Sequence, residues 1–225
     1  MKKISLLVLG LLCLNSVKAQ SKEIQLLEKA EYLYKEKQHD HAILKLNELI
    51  KINPDFVAAY LYRADNKSEL NQFDSALKDY KKVIQLDSLN MLALFEIANN
   101  YSNLLDYNTA ILYYNKSEDV LKSSSTPIYN GLMKRSFLKE TTMYMVEEND
   151  ILFNRGLSYF ALKEYLMAFK NFSKITKKGV DADSKYMLGL TLLKLKKFKE
   201  SCKELDSAII LGSKKAMLIK AKSCS

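Results

Sequence analysis

The chain has 225 residues, a formal net charge of +9, six glycines, three cysteines and two histidines. So few glycines leave little room for tight catalytic loops, and the sequence has no Gly-rich phosphate loop, Gly-x-Ser-x-Gly elbow or His-Glu-x-x-His pair. Neither an enzyme nor a bound cofactor is expected.

The first element is a leader rather than structure. Lys2-Lys3 form a basic start, Ile4 to Leu14 an apolar run and Val17-Lys18-Ala19 a small-residue exit, which together make a secretory signal peptide over residues 1–19, cleaved after Ala19. The apolar run falls short of the roughly 20 residues that a membrane span needs. Leu11-Leu12 before Cys13 is too bulky for a lipoprotein signal. No later segment is apolar enough to cross a membrane. The mature chain is therefore expected to be exported, periplasmic or secreted, with no transmembrane segment and no nucleic-acid partner.

Beyond the leader one spacing recurs. Small residues stand at Ala30, Ala64, Ala98, Gly156 and Gly189, with steps of 34, 34, 58 and 33 between them. Each is followed twelve residues later by Ala42, Ala76, Ala110, Ala168 or Ser201. A ring-bearing column (His39, Phe73, Tyr107, Tyr165, Phe198) precedes the second small column by three residues. A large column (Leu46, Tyr80, Tyr114, Phe172, Leu205) follows it by four. Periods of this length mark a solenoid, whose units bury their faces by stacking on one another.

In residues 57–90, Tyr60, Ala64 and Lys67 keep helical spacing, as do Phe73, Leu77, Tyr80 and Ile84. Asn71-Gln72 is a polar turn between them, so the unit reads as a helical hairpin. Ala64 and Ala76 are small because antiparallel helices about 8–10 Å apart leave little room at their closest contact. Pro54 closes the preceding unit. These columns resemble the tetratricopeptide repeat, whose period is about 34 residues. The resemblance is strong in 57–90 and 91–124, good in 149–182, and weaker in 23–56 and 182–215, where His39 and Ser201 depart from it.

The resemblance implies an all-α, right-handed superhelical solenoid of antiparallel helix pairs with one interrupted or decayed repeat. Repeats one to three occupy residues 20–122. An insertion or decayed repeat fills 123–148, a hinge, a partner-docking loop or simple drift between repeats. Repeats four and five, with a closing helix over 214–223, occupy 149–225. Cys202 and Cys224 face one another if the last helices turn about Gly212; they either pair in a disulfide or remain free thiols. His39-Asp40-His41 is the one histidine cluster. His39 falls in the inward ring column and no third ligand lies nearby, so no metal site is expected.

In tetratricopeptide repeats the inner helix face lines a concave groove. Here its positions hold Leu27 and Glu31, Leu61 and Asp65, Phe95 and Asn99, Phe153 and Leu157, Tyr186 and Leu190, with Phe160 and Leu193 continuing the stripe. Of the lysine and asparagine clamp by which some members hold a peptide carboxylate, only Asn99 fits, so that activity does not carry over. The groove would be apolar with an acidic ladder through the first three repeats and wholly apolar in the last two.

The implied function is a non-catalytic exported scaffold, monomeric or weakly associating, that binds a protein or peptide there. Two alternatives stay open: a structural subunit of a cell-envelope assembly, or a binder of an anionic cell-wall polymer. The second rests on charge. Residues 20–148 hold 16 basic and 19 acidic side chains (net −3), whereas 149–225 hold 16 and 7 (net +9). That excess is also what a solvated lysine face would give.

Overall fold

The computed structural model describes residues 22–124, 146–175 and 181–224. The expected leader, and residues 125–145 of the insertion expected over 123–148, lie outside the described residues. Within them the chain forms eleven helices and no strand: α1 over 22–35, α2 His39–Ile52, α3 Val57–Glu69, α4 Phe73–Leu86, α5 Met91–Asn103, α6 Tyr107–Ser124, α7 Glu148–Ala161, α8 Tyr165–Ile175, α9 Ala182–Lys194, α10 Phe198–Ile210 and α11 Lys214–Ser223.

Side-chain acceptors start several of these helices, taking up backbone N–H groups that have no partner within the helix. Asn90 accepts from Ala93 N (3.0 Å), Asp106 from Thr109 N (3.1 Å) and Asp181 from Ser184 N (2.7 Å). Within each pair the turn is the same device. Lys37, Asn71, Leu105, Lys163 and Lys196 all have positive φ, between 58° and 64°. The N–H of each bonds the carbonyl three residues back, and the next N–H bonds the carbonyl five back, as in Lys37→Tyr34 and Gln38→Leu33. This is the left-handed helix ending that satisfies two orphan carbonyls. These five turn residues follow the same steps along the chain as the small column. Gly212 (φ 94°) ends α10 in the same way.

Two compact units divide the chain. The first, through Ala93, holds α1 to α4; the second, from Leu94, holds nearly all of α5 and everything after it. In the first unit the small columns Ala30, Ala42, Ala64 and Ala76 are fully buried at the helix contacts, with Leu46 and Tyr80 filling the space beside them. Arg63 fastens its layers. Its Nη1 donates to Asn47 of the preceding hairpin (2.7 Å), while Nε and Nη2 donate to both oxygens of Asp79 in its own (2.8 and 2.6 Å). Lys67 adds a third bond to Asp79 (2.7 Å). Charge-assisted, two-pronged contacts of this kind fix geometry as well as adding energy.

In the second unit Ala98, Ala110, Ala168 and Ser201 are buried in the same register. Ser201 replaces the usual alanine without an unpaired hydroxyl, because its Oγ donates to the Gly189 carbonyl across the contact (2.7 Å). Gly156 has no substitute: a Cβ there would stand 2.7 Å from a ring carbon of Phe172. At Gly189 it would stand 2.8 Å from Leu205. Helices α6 and α7, which flank the expected insertion, are in direct contact. Arg155 on α7 donates to Asn115 (2.7 Å) and Glu118 (2.8 Å) on α6, and to Asn171 (2.9 Å) on α8. Repeats three and four are thus neighbours, joined as Arg63 joins repeats one and two.

The end of the unit is α11. It places Ala216 in a cluster with Leu205 and Ala208, with Ile219 and Cys224 packed beside them. The structure joins Cys202 to Cys224 in a disulfide, Cα atoms 5.8 Å apart. Lys220 pairs with Asp206 of α10.

Candidate functional site

The candidate groove residues stand at two helical offsets from the small column, and those offsets decide their fates. With about 100° of turn per residue, the position three before lies roughly 60° from the small residue and the position one after about 100° from it. The first therefore sits at the rim of the helix contact. Leu61 (1% exposed) and Phe95 (4%), expected on the groove, are instead core residues. The Phe95 ring packs 5.8 Å from that of Tyr114. Leu27, Phe153 and Tyr186, at the same offset, are half-buried.

The second offset faces further out and its chemistry changes along the chain. Asp65 accepts the Tyr80 hydroxyl (2.6 Å), and Asn99 accepts that of Tyr114 (2.7 Å). Burial, and secondarily Glu96, push the Tyr114 phenol far above its ordinary range, so it remains a donor. Where the large column loses its hydroxyl, at Phe172 and Leu205, this offset becomes Leu157 and Leu190. The first repeat breaks the match: Leu46 offers no hydroxyl, and a buried Glu31 oxygen has no hydrogen-bond partner among the described residues. Two of the ladder's three positions, Asp65 and Asn99, are thus tied inward.

What stays partly open in the second unit is apolar. Phe153, Leu157 and Phe160, at four- and three-residue spacing on α7, are half-buried against the cluster of Leu152, Ala168, Phe172, Ile175, Leu188 and Leu192. Phe153 meets Phe172 edge-on at 5.8 Å and Phe160 meets Tyr165 at 5.4 Å. Both rings are therefore walls of the face and part of its packing. On α9, Tyr186 and Leu193 rest on Leu205, Ala208 and Ala216, and Leu190 is half-buried. The arrangement can receive apolar side chains; it holds no group poised for bond-making chemistry.

His39 packs inward. Its ring meets Tyr34 at 5.5 Å, and its Nδ1 lies 3.0 Å from Asn66 Oδ1. Because Asn66 Nδ2 already donates to the Tyr62 carbonyl, the oxygen is left as acceptor and Nδ1 carries the proton. Among the described residues no group of three His, Cys, Asp or Glu side chains is placed to hold a metal, and no helix is long and apolar enough to cross a membrane. Sequence reasoning missed the arginine clamps. The signal was present: Arg63 and Arg155 each precede a small-column residue, and Asn47 and Asn115 stand two whole repeats apart.

Paired helices closed by one recurrent turn and packed through small-residue columns define a fold of the helical-repeat class. Residues 57–88 match the tetratricopeptide repeat family, and the rest of the described chain repeats the same helical hairpin. A 70-residue stretch is 39% identical to sperm-associated antigen 1 of Rattus norvegicus, and 86 residues are 34% identical to the Mus musculus protein. These stretches make up 31% and 38% of this chain but only 8% and 10% of those proteins.

Solved structures share the fold over most of the chain. They include pilF of Pseudomonas aeruginosa (TM-score 0.69, 14% identity, 91% of this chain and 84% of that one) and MamA from Desulfovibrio magneticus (0.67, 10%, 84% and 94%). YrrB, described as a tetratricopeptide repeat protein with an unusual peptide-binding site, has a TM-score of 0.68 at 13% identity, covering 92% of this chain and 96% of that one.

Proposed function

We propose that this protein is a non-catalytic, exported scaffold that binds a protein or peptide segment through the first-helix faces of repeats four and five. The observation that carries the reading is the half-open apolar stripe of Phe153, Leu157 and Phe160 on α7 and Tyr186, Leu190 and Leu193 on α9. Apolar side chains left partly exposed in register on two successive repeats suit a ligand that lays its own apolar side chains along them. The peptide-binding site that YrrB is named for gives the reading a precedent within the fold. Export is supported by the leader-like first nineteen residues and by the Cys202–Cys224 disulfide, a bond that persists in oxidising compartments.

Leu157 and Leu190 are the residues to test, because neither belongs to an aromatic pair of the core. Peptides selected from a random displayed library against the full chain are expected to be rich in large apolar residues. They are expected to lose at least tenfold in affinity for the Leu157→Asp, Leu190→Asp double variant, which should keep its helical circular dichroism. Peptides that bind the folded variant as well as the parent would refute the assignment.

A further inference from the structure

Helix α11 leaves large apolar side chains on its outer face. Helical spacing puts Lys214, Met217, Leu218 and Ala221 on one face of α11, and all four are exposed, Met217 by 52% and Leu218 by 69%. The opposite face gives the core only one fully buried side chain, Ala216. Just before the turn, Ile210 is 85% exposed and Leu211 42%. A helix whose outer face met only water would turn Met217 and Leu218 inward. Here α11 is held by the Cys202–Cys224 disulfide, the Lys220–Asp206 pair, the Ser213 cap on Ala216 N and the inward packing of Ile219, while Met217 and Leu218 are left outside.

Charge identifies what would cover that face. Residues 207–225 contain no aspartate or glutamate, and Lys214, Lys215 and Lys222 are exposed around the apolar patch. A second copy docking face to face would set these lysines against their own kind. An anionic bilayer accepts both parts, ammonium groups among the headgroups and Met217, Leu218, Ile210 and Leu211 at the edge of the acyl region. We infer that the outer face of α11, with the Ile210–Leu211 turn, is a peripheral docking surface for an anionic lipid membrane. The surface is distinct from the stripe on α7 and α9. A patch of four apolar side chains and three lysines gives weak, reversible and salt-sensitive binding, with each lysine contributing about fivefold.

The chain contains no tryptophan, so Leu218→Trp places a single reporter at the contact. This matters because residues 4–14 are themselves mostly apolar, and simple co-sedimentation of the full chain would not tell the two regions apart. With vesicles of phosphatidylcholine containing about one third phosphatidylglycerol, the emission of the introduced indole is expected to shift to the blue. Raising the salt to about 0.5 M should reverse the shift, because screening then acts within a few ångströms. Pure phosphatidylcholine should give none. Adding Met217→Ser or Lys214→Glu with Lys215→Glu should each weaken the response about tenfold or more. No blue shift on anionic vesicles overturns the inference. So does a response that survives Met217→Ser unchanged, or one that heparin reproduces without lipid, since either describes an anionic-polymer site. A blue shift that tracks protein concentration without vesicles marks self-association and overturns it as well.

Discussion

Repeats two and four occupy the same frame with different chemistry. In repeat two the clamp is Arg63 on Asp79, reinforced by Lys67, and the outward offset carries the Asp65–Tyr80 hydrogen bond. In repeat four the clamp is Arg155 on neutral Asn171, with its counter-charge, Glu118, drawn from the preceding repeat. The outward offset there is Leu157, and the large residue is Phe172. These two repeats share the small column, the left-handed turn and the arginine, and differ in the groove-side pair. Polar pairs leave repeat two with a self-satisfied face, whereas repeat four keeps an apolar one.

The most damaging way to break this comparison is to remove the counter-charge that repeat two holds within itself. Asp79→Ala leaves Arg63 and Lys67 side by side, only 17% and 15% exposed, without their acid. It should cost roughly 3 kcal/mol in urea unfolding, the low end for a broken buried pair because both cations keep some solvent. Asn171→Ala should cost about 1 kcal/mol, since Arg155 retains Glu118 and Asn115. Equal losses in the two repeats would show that the clamps do not differ in this way.

Next comes the small column. Gly156→Ala should gain helix propensity, yet the new methyl would meet the fully buried Phe172 ring at 2.7 Å. Overpacking of about 1–3 kcal/mol should outweigh the propensity gain of about 1, giving a net loss near 1 kcal/mol. Adding Phe172→Leu should recover stability if the ring is the obstacle, and thermal melts of the single and double variants decide it.

Acid should then test the clamp of repeat four. Burial pushes the Glu118 carboxyl upward, but Arg155 and Lys122 outweigh it and hold the group below its ordinary range. A depressed folded pKa contributes stability that is present above the unfolded value, about 4.3, and lost as pH falls through the folded one. Glu118→Gln should therefore flatten the loss of stability below about pH 4. An unchanged acid limb would mean that Glu118 is not the linked group.

The smallest effect concerns the turns. Leu105 holds φ 64° and is 69% exposed, so Leu105→Gly should stabilise the hairpin by about 0.5 kcal/mol. Gly212→Ala, at φ 94°, should destabilise α11 by about 1 kcal/mol. A loss on Leu105→Gly would show that unfolded-state entropy outweighs relief of the strained backbone.

Repeat period, helix order and the small columns were legible in the sequence because each depends on a local rule. Residues twelve apart in a short helical hairpin meet at one contact, and only small side chains fit there. The His39 placement was legible for the same reason, as a ring in a ring column. The turns were legible only as polar breaks: that Lys37, Leu105, Lys163 and Lys196 adopt a conformation usually left to glycine follows from the packing of the helices on either side.

By itself the sequence determined the frame, since a fixed period with fixed small residues can close only as stacked hairpins. Tertiary structure decided which side chains remain available. A helix offers a continuous range of directions, and a small rotation from the contact was not enough to keep Leu61 and Phe95 out of the core. It also decided where charge is spent. Arg63 and Arg155 reach partners 16 to 40 residues away, across neighbouring hairpins, and no local pattern joins residues that only stacking brings together.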